Sequence, residues 1–368
     1  MTNNFLPPDP LKDDKANILR SLILIFVIIF GGFFIFLNFN KNKTDYFITK
    51  VITPIKIVES FIPQIGGDIE INPPEISKPL LPKLQGEMLD SNIFTAQGII
   101  VKDKETGSVL YAKNEYEKRP IASVTKLMSA LVLLEKNPDW SSTTTVIGAD
   151  SLDTHVYAGD TYTLEQLWQA TLIGSSNKAI ISLANALDWP IEAFVERMNQ
   201  KALELGMIDT FFTDPSGLND TNISTPSDLA ILLEEALKQS KIKLAVLTPE
   251  LNLYSVERKL KHHLWNTNWL LLGWIPNDFE ILNGGKTGFI TASGYNFVMQ
   301  VGKNNHLLNV VILGAKEHEK RFTEARDVAN WVFANYKWPG DENTTTSTID
   351  NNINNKISIA SKSLDITD

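Results

Sequence analysis

Ser123-Val124-Thr125-Lys126 opens an apolar run, Leu127-Met128-Ser129-Ala130-Leu131-Val132, directly after Pro120-Ile121-Ala122. Residues three apart share a helix face, so a helix beginning here brings the Lys126 amine to the Ser123 hydroxyl. An amine so placed can serve as base for a serine nucleophile, a chemistry that needs no histidine. A serine in the first turn also has the helix dipole and free backbone N–H groups to steady developing negative charge. The spacing alone is common: Ser240-Lys241-Ile242-Lys243 repeats it at the charged end of a helical stretch and reads as solvated surface. Two further clusters bring complementary groups, Ser175-Ser176-Asn177 between two helical stretches and Lys286-Thr287-Gly288 on a predicted strand after Gly284-Gly285.

Other chemistries are poorly served. The 368 residues contain no Cys, which removes disulfide frameworks, thiolate metal sites and Cys nucleophiles together. The five histidines are scattered, and His318-Glu319 is followed by Phe322 where a zinc-binding HExxH would need its second His. No metal or other cofactor is expected. Neither a GxSxG elbow nor a Walker loop occurs. A formal net charge of −9 works against nucleic-acid binding, which needs clustered Lys and Arg to displace phosphate counterions.

The elements that must position these residues are readable in outline. Gln97 to Val101 and Ser108 to Ala112 are short apolar runs around a turn containing Gly107, a hairpin signal. Helices are predicted over Ser123 to Lys136, from Thr163 with Gln166 as capping-box partner, and over Ile191 to Leu205 with Gly206 as the stop. Another starts at Thr225 as N-cap, with Pro226 at the first helical position and Asp228 in the first turn. Tyr295 to Val301 and Leu307 to Leu313 flank the polar turn Lys303 to His306 as a second hairpin, and an amphipathic pattern runs from Glu319 to Tyr336. Strands at both ends with helices between predict an α+β fold, an antiparallel sheet flanked by helices with a helical subdomain. Trp168, Trp265, Trp269 and Trp274 read as core or cleft-wall packing.

With 43% apolar residues the chain can build a substantial core, and its organisation is uneven. Ser21 to Asn40 carries no charge and is apolar on every face, a transmembrane anchor by length and pattern. It lacks the short apolar core and small-residue cleavage site of a removable signal, so it is expected to stay attached. The flanking lysines are balanced and leave orientation to be set by function. Residues 1–20 then form a cytoplasmic N-terminus and 41–92 a spacer rich in proline. The globular block runs over 93–338, and 339–368 is a polar tail rich in Asn, Thr and Ser with no sustained period.

SxxK, SxN and KTG in that order resemble the penicillin-recognising serine D,D-peptidases. RPIASVTKLMSALVLLE, GSSNKAIISLANAL, FVERMNQKALELGM, DPSGL, STPSDLAILL, NTNWLL and GGKTGFITASGYNFV look like the D-alanyl-D-alanine carboxypeptidase family, over about residues 95 to 316. The resemblance implies a β-lactamase/transpeptidase-like fold and hydrolysis of the terminal D-alanine of peptidoglycan stem peptides through an acyl-serine. It implies Ser123 as nucleophile, Lys126 as its base and Ser175 as the group passing a proton toward the leaving amine. Lys126 must then be neutral, which requires burial and a nearby cation, for which Lys286 is the candidate. Asn177 would bind the substrate peptide, Lys286 and the Thr287 hydroxyl its terminal carboxylate, and Gly288 would let the substrate backbone lie close. The backbone N–H groups of Ser123 and Phe289 would form the oxyanion hole. β-Lactams are the expected acylating inhibitors. The catalytic domain is expected outside the cell membrane, where peptidoglycan is.

Two departures from the family pattern stand out. Some members use an arginine upstream of the KTG strand to grip the carboxylate, but no Arg or Lys lies between Lys261 and Lys286, leaving Lys286 with Thr287, or an arginine such as Arg258. Some continue into a small β-domain and an amphipathic membrane helix, whereas here only the polar tail follows Tyr336, so the N-terminal helix is the expected sole anchor. A D,D-endopeptidase on cross-linked peptidoglycan would use the same residues. A β-lactamase often needs a glutamate-activated water, and DPSGLNDTN offers no glutamate in an ExxxN setting. A non-catalytic cell-wall scaffold would have little reason to keep six such polar groups, since burying each unpaired costs about 1 to 3 kcal/mol.

Overall fold

Alternation of apolar side chains along three long strands and a hairpin builds the centre of the protein. The computed structural model describes residues 80–153 and 156–341, all within the unit Ile76–Asp368. The N-terminus 1–20, the anchor 21–40, the spacer up to residue 79, His155 and the tail from 342 lie outside the described residues. Among the described residues no helix is long and apolar enough to cross a membrane.

In chain order the main elements begin with strands β1 (Gly98–Asp103) and β2 (Val109–Lys113). Helices α1 (Thr125–Lys136), α2 (Leu164–Leu172), α3 (Asn177–Ala186), α4 (Ile191–Glu204), α5 (Pro226–Lys238) and α6 (Ser240–Leu247) follow. A hairpin of β3 (Glu250–Ser255) and β4 (Leu260–Trp265) precedes the long strands β5 (Ile281–Ile290), β6 (Gly294–Lys303) and β7 (His306–Ala315), and α7 (Lys320–Asn335) closes the block. The five-stranded antiparallel sheet has the order β5-β6-β7-β1-β2. The expected α+β class is the observed one, and the predicted elements start and stop within a few residues of where they were read.

Successive side chains of a strand point to opposite faces. Ile100, Val298, Val311 and Leu313 accordingly join a core with α1 to α6, while Ile99, Val101, Phe297, Val310 and Ile312 pack against α7. Both faces are covered, which is why these strands read as nearly continuous apolar runs. Helix α1 is buried on every side from Thr125 to Leu133, so no face of that stretch, including the candidate base, is open to solvent. Strand β5 sits at the edge of the sheet, with one backbone edge free of a sheet neighbour. Its register slips between Leu282 and Gly284, a bulge just before Lys286.

Three local outcomes differ from expectation. The helix predicted from Ser123 starts at Thr125, because Ala122 is left-handed (φ 49°) and the chain makes a 3-10 turn over Ala122–Val124 first. Residues 83–85, assigned to the spacer, already belong to the block: Lys83 and Leu84 pair with Lys337 and Tyr336, and Gln85 N donates to Asn335 O at 2.7 Å. Ser240 to Lys243 begins α6 rather than ending a helix, and Lys241 is half-buried, ion-paired with Glu165 and 4.3 Å from the Trp140 ring centroid.

The Thr163 cap forms as read, its side chain accepting from Gln166 N while Gln166 Oε1 accepts from Thr163 N. Thr163→Ala removes that reciprocal pair and is expected to lower stability by about 1 kcal/mol, measured by urea unfolding, with an unchanged slope.

Candidate active site

The site forms where the turn before α1, the turn before α3 and the edge strand β5 converge. Lys126 is fully buried, and its Nζ lies 2.7 Å from Ser123 Oγ, 2.7 Å from Asn177 Oδ1 and 2.8 Å from Ser216 O. Asn177 Oδ1 and the Ser216 carbonyl can only accept. A neutral amine therefore gives its two N–H groups to them and keeps its lone pair for the Ser123 O–H. Burial holds Lys126 down at about 7, opposed by Asp214 and Asp153. Of the two expected causes, burial and a nearby cation, burial is the one that depresses Lys126.

The SxN turn is held from behind. Asp153 Oδ2 accepts from Ser176 Oγ (3.1 Å), Asn177 N (2.7 Å) and Lys178 N (2.9 Å), and Asn177 Nδ2 donates to Leu152 O at 3.0 Å. With Asn177 pinned, Ser175 adopts a left-handed conformation (φ 60°) that a non-glycine residue accepts only under external constraint. Lys286 Nζ donates to Ser175 Oγ at 2.7 Å and to Thr287 O at 3.0 Å. Lys286 is itself pushed well below the ordinary lysine range, by burial first, then by Lys126 and Arg321. Thr287 Oγ1 donates to Thr267 Oγ1 at 2.7 Å, a partner the sequence reading did not single out.

Gly288 is required by packing within the protein itself. A Cβ there would lie 2.6 Å from Ile121 O and 3.1 Å from Ser123 N, so the glycine lets β5 press against the serine's own turn. Gly217 does the same from below: it has φ +80°, and a Cβ would meet Ala122 O at 1.9 Å. The DPSGL turn carrying it is folded around Asp214, whose Oδ1 accepts from Ser216 N, Ser216 Oγ and Gly217 N at 2.6 to 2.8 Å. Turn formation was legible in that motif; the Ser216 carbonyl aimed at Lys126 was not, since a backbone oxygen has no residue-type signature. The Phe289 side chain is half-exposed and stacks on Tyr295 at 4.3 Å.

Sequence reasoning also missed the arginine. Arg258 lies elsewhere, paired with Asp160 at 2.9 Å. Arg321, from the first turn of α7, lines the cavity together with Ser123, Ser175 and Thr287. Its Nη2 lies 2.6 Å from His318 Nε2, its Nη1 donates to Gly288 O at 3.4 Å, and its buried Nε has no hydrogen-bond partner. Burial lowers Arg321 to about 10, and burial with the Arg321 charge lowers His318 to about 4, so His318 is the neutral acceptor of this pair. The i, i+3 spacing of His318 and Arg321 was visible, but only the packing of α7 on β6 and β7 brings the pair to the cleft. Among the described residues no group of three His, Asp or Glu could hold a metal ion.

A profile of the D-alanyl-D-alanine carboxypeptidase family matches residues 87–317, and the chain belongs to that family, whose members are serine hydrolases. It is 31% identical over 238 residues to a D-alanyl-D-alanine endopeptidase of Pseudomonas aeruginosa, covering 63% of this chain and 76% of that one. To the D-alanyl-D-alanine carboxypeptidase DacF of Bacillus subtilis it is 28% identical over 268 residues, covering 69% and 66%. The fold superposes on the Streptomyces K15 DD-transpeptidase with a TM-score of 0.59 at 26% identity, over 66% of this chain and 98% of that one. A penicillin-binding protein of Listeria monocytogenes in its ampicillin-bound form matches with a TM-score of 0.57 at 27% identity, over 68% and 100%.

Gly288→Ala pushes β5 off the Ser123 turn. A displacement near 1 Å between reacting groups costs roughly 100-fold, so Ser123 acylation by a fluorescent penicillin is expected to slow by about that factor while the circular dichroism spectrum is retained.

Proposed function

We propose that this protein is a serine-type D-alanyl-D-alanine carboxypeptidase that removes the terminal D-alanine of peptidoglycan stem peptides. The observation that carries the reading is the buried Lys126 amine, depressed to about 7 and bonded to Ser123 Oγ, Asn177 Oδ1 and Ser216 O. A neutral amine in that setting takes the Ser123 proton as Oγ attacks the carbonyl of the penultimate D-alanine. Ser123 and Phe289 N–H groups receive the oxyanion, each such donor typically contributing about 3 to 4 kcal/mol of transition-state stabilisation. Ser175, which accepts from Lys286, passes a proton to the departing nitrogen, the C–N bond breaks, and free D-alanine leaves. Water then attacks the acyl-serine and releases the shortened peptide.

The substrate lies along the open edge of β5 as an added strand, with Asn177 and Gly288 on either side of its backbone. Its carboxylate meets Lys286, Thr287 and Arg321. Arg321 supports this reading because it is buried in the cavity wall, faces no carboxylate among the lining residues, and has an unpartnered Nε. An uncompensated buried guanidinium is costly, and an anionic substrate group relieves the cost. β-Lactams present the same carboxylate and a strained acyl group, so they acylate Ser123. No metal or other cofactor takes part in these steps. The uncharged segment 21–40 anchors the chain in the cell membrane, and the catalytic domain faces the peptidoglycan outside it.

Mass spectrometry of a D-Ala-D-Ala-terminated pentapeptide treated with the full chain is expected to show free D-alanine, absent with Ser123→Ala. Cleavage of a cross-linked muropeptide instead would move the assignment to an endopeptidase, and no Ser123-dependent product from either would reject it. The rate of Ser123 acylation is expected to rise with pH through a midpoint near 7, because the active form of Lys126 is the deprotonated one. Arg321→Ala removes a charge-assisted hydrogen bond worth about 1.5 to 3 kcal/mol, so KM for the pentapeptide should rise roughly 10- to 100-fold with a smaller change in kcat. His318→Gln, which keeps a neutral acceptor for Arg321, should preserve more of that affinity than His318→Ala.

A further inference from the structure

Three tryptophans left unused by the chemistry above continue the ring contacts of His318, Tyr295 and Phe289 into one arc on the wall that holds Arg321. Ring centroids are separated by 5.7 Å between Trp265 and Trp274, 5.5 Å between Trp274 and Trp269, and 4.3 Å between Trp269 and His318. The arc continues through Tyr295, 5.6 Å from His318, to Phe289, 4.3 Å beyond. Its inner part is fixed: Trp269 stacks on the buried Phe322 at 5.8 Å, and His318 is held by Arg321. Its outer members are open. Trp265, Trp274 and Phe289 are each 49% exposed, and they line the same cavity as Ser123, Thr287 and Arg321.

That cavity measures about 540 Å³. A volume of this order holds a drug-sized ligand, since such pockets span roughly 300 to 1,000 Å³. Part of that volume is the catalytic cleft at Ser123, Ser175 and Gly288, and Trp265, Trp269 and Trp274 wall the rest, where a terminal D-alanine would place only a methyl group. The lining also limits what the remaining space accepts: Arg321 is its only permanently charged side chain, its one histidine is spent on Arg321, and no carboxylate faces it. Half-exposed indole faces next to an anchored carboxylate suit an aliphatic or aromatic side chain rather than a charged one.

We propose that the Trp265-Trp269-Trp274 arc is a specificity subsite for the side chain of the leaving residue, so that the enzyme hydrolyses D-alanyl peptides whose departing D-residue is larger than alanine. The proposal rests on the acyl-serine reading above and on the carboxylate of the leaving residue lying at Arg321. The bond broken remains the amide between D-alanine and that residue. The C–O bond to Ser123 forms, and the proton taken from Ser123 is replaced on the leaving nitrogen by way of Ser175, so the departing group is a free amino acid. With the carboxylate fixed, its side chain lies along the indoles of Trp274 and Trp265.

The test compares N-acetylated tripeptides ending in D-Ala-D-Ala, D-Ala-D-Leu and D-Ala-D-Phe with the full chain in detergent, following release of the D-amino acid. Each added apolar group that finds a fitted pocket changes selectivity by roughly 10-fold or more. Wild type is therefore expected to hydrolyse the D-Leu or D-Phe peptide with kcat/KM at least equal to that of the D-Ala peptide. Trp274→Ala and Trp265→Ala should reduce that ratio about 10-fold, while Trp274→Phe, which keeps an aromatic face, should retain most of it; thermal melting monitors the folding of each variant. A wild-type preference for D-Ala above 10-fold, or an equal loss on all peptides in the tryptophan variants, overturns the subsite while leaving the carboxypeptidase reading intact. Absence of Ser123-dependent product from every peptide overturns both.

Discussion

The site depends on keeping a lysine amine out of water beside a serine. An isolated charged ammonium in a protein interior is strongly unfavourable, so the group either finds oxygen partners or gives up its proton. Lys126 does both: three oxygens surround its Nζ, and its affinity for a proton is lowered to about 7. Much of the surrounding structure follows from this. Helix α1 is buried on all sides from Thr125 to Leu133, which keeps water from Lys126, the DPSGL turn aims the Ser216 carbonyl at it, and the SxN turn supplies the Asn177 oxygen. The left-handed conformations of Ala122 and Ser175 reflect the strain of bringing these turns together, offset by the Asp214 and Asp153 hydrogen bonds behind them.

Charge is distributed to match. The chain as a whole carries a net charge of −9, yet Lys126, Lys286 and Arg321 gather at one cleft. Burial weakens the hold of each on a proton, and for Lys286 the charges of Lys126 and Arg321 act in the same direction. Asp214 and Asp153 temper this from behind the lysine, where their carboxylates are occupied with backbone N–H groups and do not project into the cavity. A cleft of this kind favours a substrate carrying one carboxylate, as a peptide ending in D-alanine or a penicillin does. Much of that recognition is then electrostatic and backbone in character, and the aromatic arc is the part of the wall that can tell one leaving side chain from another.

The path from sequence to site was uneven for physical reasons. Thr163 with Gln166, Thr225 with Pro226, and Gly206 after α4 were readable because capping and helix stops depend on a few neighbouring residues. The long strands were readable because both of their faces are buried and their runs are apolar throughout. The hairpin of β3 and β4 was not, because its inward face is narrow: β3 alternates exposed Glu250, Asn252 and Tyr254 with Leu251, Leu253 and Ser255, but in β4 only Leu264 is buried and Leu260 and Lys261 are both exposed. Asp153 escaped notice because it lies 22 residues before Ser175 in a segment with no periodic pattern, and its role is defined by three donors from another element.

Ser123, Lys126, Ser175, Asn177, Lys286, Thr287 and Gly288 could be singled out in the amino-acid sequence because their order, spacing and neighbouring residues are local properties of the chain, and the structure brings them to one cleft. The fold class followed from hydrophobic periodicity for the same reason. Tertiary structure decided everything that depends on convergence. It brought Arg321 and His318 from α7 to a cleft whose other walls are β5 and the α1 turn, put Gly288 against Ser123, and turned the Ser216 carbonyl toward Lys126. It also set how weakly Lys126 holds its proton, because the burial that lowers it to about 7 is made by residues far apart in sequence, packed around it in three dimensions.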